Sequence, residues 1–409
     1  MLPKLTFIHA ADLHLDSKME GLTAAHPAMK TRLQESTFEA LQQLVQYAIT
    51  LQVDFVLLAG DIFDSNRQSL KALVALREAC KELQAAQIAV YMQYGNHDYT
   101  GNKPVMRYPD NVHIFQSEQV ETFIHSKNNV PAAAIHGFSY TARHVKTRVS
   151  KQYQSMGDNI YQIGMLHGSI MTGGPEDVYA PFTIEDLKQA DFDYWALGHI
   201  HKREILTEQP PIVYPGNMQG RHRKETGEKG CYLVELEGQA STLTFLPLQA
   251  IRFEEVTFSV KEGWALYEAE ARLMEASAAW EEMYGHVVLY VHFHGAADPL
   301  VKWQQENQLE ELIDMVNEQQ MQLGRLTVLA GFTVQVEFEL DEEKLLERND
   351  FTATLFFRSY KTEDIKRSLD ELMANRQFRK IKHAYTEEEM QELAGEAKQL
   401  LLQTVMEVE

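Results

Sequence analysis

The sequence predicts an α/β protein with a layered N-terminal domain, a smaller α/β unit and a helical C-terminal segment. Three observations predict it. Apolar runs of strand length alternate with stretches of helical period through the first 200 residues or so, as in a strand–helix–strand layered domain. Five short polar motifs lie along this part, four directly after such runs, where α/β domains carry function. Beyond residue 250 the strands alternate in polarity and the polar motifs stop.

At 409 residues the chain is too long for one compact core. The expected divisions are 1–250, 251–340 and 341–409. No stretch is long and apolar enough to span a bilayer. The start, Met1 to Ile8, lacks the features of a secretory signal and leads into a first strand. Cys80 and Cys231 are the only cysteines, so no disulfide framework is expected and a reducing cytoplasm fits. Residues 251–409 hold 16 of the 38 Lys and Arg and 32 of the 59 Asp and Glu, a net of −16, which leaves −5 for residues 1–250. An acidic chain repels a phosphate backbone overall. Nucleic-acid contact must therefore use the N-terminal part, bound metal, a local basic patch or a partner.

Thr6 to Ala10 is the first strand, and Asp12 and His14 follow it. Two residues apart in extended chain, their side chains point the same way. His9 and Asp16 share that spacing, so spacing alone does not choose. His9 is read as a structural histidine and Asp16 as a turn residue or one that supports a ligand from behind. Residues 31–50 have helical period through Leu33, Thr37, Phe38, Leu41, Leu44, Val45 and Ala48. Asp54 to Ala59 is continuously apolar after its first residue, as in a strand covered on both faces, and ends in Gly60-Asp61. A helix over 69–86 and a strand over Ile88 to Met92 lead to Gly95-Asn96-His97-Asp98.

Short strands are expected at 112–115, 120–124 and 132–137, with His113, His125, His136 and His144 as surface or core residues. Asn159 to Met165 is a strand before Leu166-His167-Gly168, and Thr183 caps a short helix. Tyr194 to Leu197 precedes Gly198-His199-Ile200-His201, and strands at 211–214 and 230–236 close the domain. The second unit reads as a strand at 256–260, a helix at 264–284, a strand from Val287 to Phe293, a helix at 305–323 and a strand from Phe332 to Leu340 with one wet face. His286, His292 and His294 read as a mixed sheet face. Beyond the acidic linker Asp341-Glu342-Glu343 come a basic segment at 375–382, a capping pattern at Thr386 and Glu389, and a final helix with an apolar stripe from Met390 to Leu401.

The five motifs hold seven N or O ligands and one further histidine, the complement of two bridged cations and a proton donor. Asp61, isolated after a glycine, is the natural bridge. Asp12, His14 and one of His199 and His201 would complete one site; Asn96, His167 and the other would complete the second. Two divalent ions less two carboxylates leave a charge of roughly +2, which draws a phosphate ester. Mixed His and carboxylate ligands favour Mn, with Fe or Zn next, over Mg. His97 is the candidate general acid for the leaving alkoxide, and Asp98 could orient its imidazole. Five such motifs in this order are not unrelated loop histidines.

This ordered set resembles the calcineurin-like metallophosphoesterase superfamily. Ile8 to Leu15 and Ala59-Gly60-Asp61-Ile62-Phe63-Asp64 narrow the resemblance to SbcD-type DNA repair exonucleases, and Tyr214 to Asn217 with Arg221 to Cys231 to the YhaO branch. The resemblance implies a two-sheet sandwich flanked by helices, followed by a small α/β cap that touches DNA. It implies Asp12, His14, Asp61 and His201 on one ion, and Asp61, Asn96, His167 and His199 on the other. It implies a C-terminal segment that docks an SbcC- or Rad50-like coiled-coil ATPase, and a possible homodimer. Related nucleases often carry histidine where Asp64 stands. Lys202, Arg203, Arg221, Arg223 and Lys224 are the candidate phosphate contacts. The expected activity is metal-dependent hydrolysis of DNA, an exonuclease. A small-nucleotide phosphodiesterase and a non-catalytic scaffold for the ATPase are the alternatives.

Overall fold

A computed structural model describes residues 2–19, 27–99, 106–157, 159–174, 178–337 and Met390. The segment expected at 341–409, with its basic stretch, capping pattern and final stripe, lies outside the described residues apart from Met390, as do Phe338 and Leu340. Two compact units make up the chain. Among the described residues, the first comprises those of Met1–Thr257, Glu270–His292 and Glu310–Thr333; the second comprises Phe258–Ala269, Phe293–Leu309 and the described residues that follow from Val334.

The chain opens with β1 (Leu5–Ala10), α1 (Pro27–Thr50), β2 (Phe55–Ala59), α2 (Leu70–Ala85), β3 (Ala89–Gln93) and β4 (Val112–Ile114). It continues with β5 (Glu121–Lys127), β6 (Val130–Gly137), β7 (Tyr161–His167), α3 (Ile184–Gln189), β8 (Tyr194–Gly198), β9 (Glu204–Glu208), β10 (Pro211–Tyr214), β11 (Gly230–Glu237) and β12 (Ala240–Pro247). These strands form two six-stranded sheets, ordered β12-β11-β1-β2-β3-β4 and β5-β6-β7-β8-β10-β9. In each sheet the strands that lead to the polar motifs are parallel neighbours: β1, β2 and β3 in one, β7 and β8 in the other.

Apolar residues on both faces of the parallel strands explain the layers. Phe7, Phe55, Leu57, Ile163, Met165, Tyr194 and Val213 are buried between the sheets. The opposite face of the first sheet, through Ile8, Val56 and Val90, packs with α1 and α2 residues such as Leu44 and Leu76. The opposite face of the second packs Leu166, Trp195 and Ile212 with Leu187 of α3. Both helix caps follow from local chemistry. Ser69 Oγ accepts from the Ala72 amide at 3.0 Å, and Thr183 with Asp186 forms a capping box.

The expected structural histidines are that. His9 is buried between the Tyr194 hydroxyl (2.9 Å) and the Leu197 carbonyl (3.1 Å). His125 meets the Tyr91 hydroxyl at 3.1 Å, and His136 lies between Thr122 and Gln162.

The remaining elements are β13 (Arg252–Val260), α4 (Leu266–Tyr284), β14 (Val287–Ala296), α5 (Ala297–Gln305), α6 (Gln308–Gln322) and β15 (Thr327–Glu337). The three strands form one sheet in the order β13-β14-β15. The helix expected at 305–323 is α6, and a further helix that was not expected, α5, precedes it, the two separated at Asn307, which has φ 56°. In the second unit Phe258 meets Phe293 edge-on at 5.7 Å. In the first, His292 bonds Thr333 at 2.6 Å, and no metal-type cluster forms around it among the described residues. No helix among the described residues is long and apolar enough to cross a membrane.

Candidate active site

The loops after β1 and β2 are zipped together by main-chain bonds. The Asp12 amide donates to the Gly60 carbonyl at 3.1 Å and the His14 amide to the Asp61 carbonyl at 3.0 Å. This pairing carries three side chains to one place at the cost of backbone strain. Asp12, His14 and Asp61 have φ of 51°, 43° and 49°, and His199 beyond β8 has φ 102°. Non-glycine residues are uncommon in this region, with Asp, Asn and His the best tolerated. Such strain persists where the surroundings enforce it, commonly at functional sites.

Glycines let the loops close. Gly60 has φ 88° and packs against the His167 ring. A Cβ on Gly95 would collide with Asp61 Oδ1 and lie 2.7 Å from His167 Nε2.

Two donor clusters result. In the first, the ligand atoms of Asp12, His14 and His201 lie within 4.8 Å of one another. His14 Nε2 stands 3.1 Å from His201 Nε2 and 3.8 Å from Asp61 Oδ2. In the second, Asn96 Oδ1 lies 3.0 Å from both His167 Nε2 and His199 Nδ1, and His167 Nε2 is 3.5 Å from Asp61 Oδ2. Asp61 thus borders both clusters. Asp12 accepts the His199 amide at 3.0 Å, which ties the clusters together.

The protonation pattern shows that the donors fit cations. His167 Nδ1 faces the Ala59 carbonyl at 3.0 Å, so it carries a proton. Its Nε2 faces oxygens of Asn96 and Asp61, which leaves room only for a second proton or a cation. Burial pushes the His167 imidazole down, but the nearby Asp61 charge outweighs this and lifts it to about 9. Asp61 itself, which burial would raise, is held well below the usual carboxylate range, chiefly by His167. His199 is pushed down to about 3 by burial and then by the His167 charge, so it stays neutral and keeps a lone pair. Mixed imidazole and carboxylate donors suit Mn, Fe or Zn.

His97 is exposed at the edge of this cluster. Its amide donates to Asp61 Oδ1 at 2.9 Å, and its Nδ1 lies 3.0 Å from the Asp64 carbonyl. A carbonyl only accepts, so Nδ1 bears the proton and Nε2 is left for proton transfer. The ring stands edge-on to His14 at 5.1 Å, and His97 belongs to a third potential ligand group with His14 and Asp61.

Asp98 does not take the orienting role expected of it. Its carboxylate is buried and accepts from the amides of Ile62 (2.6 Å), Phe63 (3.2 Å) and Gly95 (2.6 Å). It staples the β2 loop to the β3 loop, while Asp64 holds the His97 ring. Burial, then the Asp61 charge, pushes the Asp98 carboxyl up to about 7.

The basic candidates divide. Arg221 is committed internally, with Nη1 on Asp64 Oδ1 at 2.8 Å and Nη2 3.8 Å from Glu225. Arg203 lies over the Phe245 ring at 3.8 Å and near Glu228, and Arg223 stands 6.0 Å from the Tyr290 ring centroid. Lys202, Arg203, Arg223 and Lys224 are exposed.

Two further acids support the site: Asp64, at the end of the block Ala59 to Asp64, and Glu225, which no motif singled out. Asp64 accepts from Ser17 at 3.0 Å and lies 3.5 Å from His14 Nδ1. Glu225 Oε1 is 2.6 Å from His201 Nδ1. Burial would raise Glu225, but the His201 hydrogen bond and charge hold it down at about 2. The sequence signal for Glu225 is an acid directly after the basic run Arg221 to Lys224.

A family profile described as calcineurin-like phosphoesterase matches residues 5–203. The chain is 33% identical to a Bacillus subtilis protein named uncharacterized metallophosphoesterase YhaO, across 100% of this chain and 99% of that one. It is 26% identical to the DNA double-strand break repair protein Mre11 of Methanocaldococcus jannaschii, covering 64% of this chain and 71% of that one. It is 25% identical to SbcD of the SbcCD nuclease of Staphylococcus epidermidis, covering 62% and 72%.

Proposed function

Since this chain belongs to the calcineurin-like metallophosphoesterase family, we propose that it is a two-metal phosphodiesterase that hydrolyses DNA as an exonuclease. The observation that carries this reading is the convergence of seven N and O donors, from five loops, around Asp61 with His97 at the edge. Asp12, His14, Asp61 and His201 would hold one divalent cation, and Asp61, Asn96, His167 and His199 the other. Mn is the first choice, then Fe or Zn. When bound, the cations would supply Lewis-acid polarisation of the phosphate ester and of its attacking water. His97 would act as the imidazolium: it would give its Nε2 proton to the leaving alkoxide and return to the neutral ring, whose Nδ1–H stays on the Asp64 carbonyl.

The polymer substrate is supported by relatives named for DNA double-strand break repair and as part of a nuclease. Lys202, Arg203, Arg223 and Lys224 are exposed and available to flanking phosphates; Arg221 serves the site from within. The segment 341–409 would dock an SbcC- or Rad50-like ATPase in the cytoplasm, with the chain as a homodimer.

The test is Mn²⁺-dependent cleavage of end-labelled linear DNA by the purified chain, beside hydrolysis of bis-nitrophenyl phosphate. Progressive shortening from an end, lost on Asp61→Asn, is the expected result. Hydrolysis of small or cyclic nucleotides far faster than polymer would replace the DNA reading with a small-nucleotide enzyme. Absence of both activities would leave the scaffold.

A further inference from the structure

His201 is held by a single loop at both its main chain and its ring. Its carbonyl accepts from the Lys229 Nζ at 3.1 Å and the Asn217 amide at 3.4 Å. Its ring Nδ1 meets Glu225 Oε1 at 2.6 Å. The Glu225 side chain is itself fixed, because Oε2 accepts from Asn217 Nδ2 at 2.9 Å and from the Arg221 amide at 2.7 Å. Only 7% of Glu225 is exposed, so water cannot readily replace these partners.

A carboxylate accepts and an imidazole has two tautomers. We propose that Glu225 is a positioning residue that locks His201 in the Nδ1–H tautomer, so that its Nε2 lone pair faces His14 and sets the cation affinity of the first site. Arg221 Nη2 lies 3.3 Å from the same Nδ1; a guanidinium only donates and so favours an unprotonated Nδ1, but this contact is much longer than the 2.6 Å bond to Glu225, which decides the tautomer. Arg221 balances the charge of Glu225 and Asp64 instead. Without Glu225, the Nε2–H tautomer would turn a proton toward His14 and into the cation position. His167 is held differently, by the Ala59 carbonyl, so the second site keeps its own tautomer control. Carboxylates behind ligating histidines are worth 10–100-fold in metal affinity as a general range.

This inference rests on the two-metal reading, and the test separates the two. The full chain is stripped with EDTA and titrated calorimetrically with Mn²⁺ as wild type, Glu225→Ala and Glu225→Gln. His201→Gln and His167→Gln assign the two binding events. Nitrogen NMR of the histidine rings in the stripped chain reports the His201 tautomer. Glu225→Ala is expected to weaken the first site about 10–100-fold, mix the His201 tautomers and leave the second site within about twofold. Glu225→Gln, which keeps an acceptor, is expected to recover most of both properties. An unchanged first site and tautomer in Glu225→Ala would overturn the proposal, as would equal loss of both sites in Glu225→Ala and Glu225→Gln. Wild type that binds no Mn²⁺ would overturn the two-metal reading itself.

Discussion

The Nε2 atoms of His14 and His201 face one another at 3.1 Å although 187 residues separate them in the chain. Two imidazole nitrogens so placed, with Asp12 and Asp61 beside them, are stable only around a shared proton or a cation. Cation binding should therefore stabilise the fold. At a concentration 100-fold above Kd, each ion should add about 2.7 kcal/mol. Calorimetric melting with and without Mn²⁺ measures this. Asp61→Ala, which faces both clusters, is expected to abolish most of the gain.

His97 should matter to turnover and little to loading. Loss of a positioned general acid typically costs about 10²–10⁴-fold in rate. His97→Ala is expected to keep the Mn²⁺-dependent rise in melting temperature and lose DNA cleavage by that range. Its loss on bis-nitrophenyl phosphate should be much smaller, because nitrophenolate leaves without protonation. Equal losses on the two substrates would remove His97 from the acid role.

Gly95 leaves no space for a side chain. Gly95→Ala places a methyl against Asp61 Oδ1 and the His167 ring. It should destabilise the fold by about 1–3 kcal/mol, as overpacking does, and lower affinity for both cations together. Urea unfolding and Mn²⁺ titration of the variant check both effects.

Acid should weaken the metal-free chain before most carboxylates titrate. Burial lowers His9 to about 3, and burial lowers His125 to about 4. Each is neutral in the fold, while in the unfolded chain it takes a proton below about 6.5. The unfolded state then binds more protons, so stability is full above pH 6.5 and falls as pH drops from there toward the folded values. For His9 alone the loss is about 2 kcal/mol at pH 5. His9→Gln should flatten the decline between pH 7 and 5 relative to wild type, as read by urea unfolding in EDTA.

Much of the sandwich was legible because its central strands are apolar on both faces and end in polar motifs. β2, with all five residues buried, is the clearest case. β9 and β12 escaped because each is an edge strand with solvent along one side, Glu204 and Glu208 bounding the first and Ser241, Thr242 and Thr244 interrupting the apolar residues of the second. α5 escaped because it is only nine residues long and opens on Ala297-Asp298-Pro299, which has the composition of a turn. In the site, the motif letters picked out the side chains that converge but not those that support them. Asp98 sits beside His97 in sequence, yet its carboxylate is drawn to three amides that only the fold brings near. Glu225 is 24 residues from His201, and no periodicity links them.

The left-handed backbone at Asp12, His14, Asp61 and His199 has a consequence for how the family can diverge. In the two-metal reading each of these positions passes two filters: the side chain must donate to a cation, and the residue must accept a positive φ. Valine or isoleucine fails both at once, so drift through them would lose the fold along with the chemistry. A lineage abandoning catalysis while keeping this scaffold has few exits, glycine and asparagine foremost. Inactive descendants should therefore carry those two residues at the old ligand positions more often than random decay would leave them.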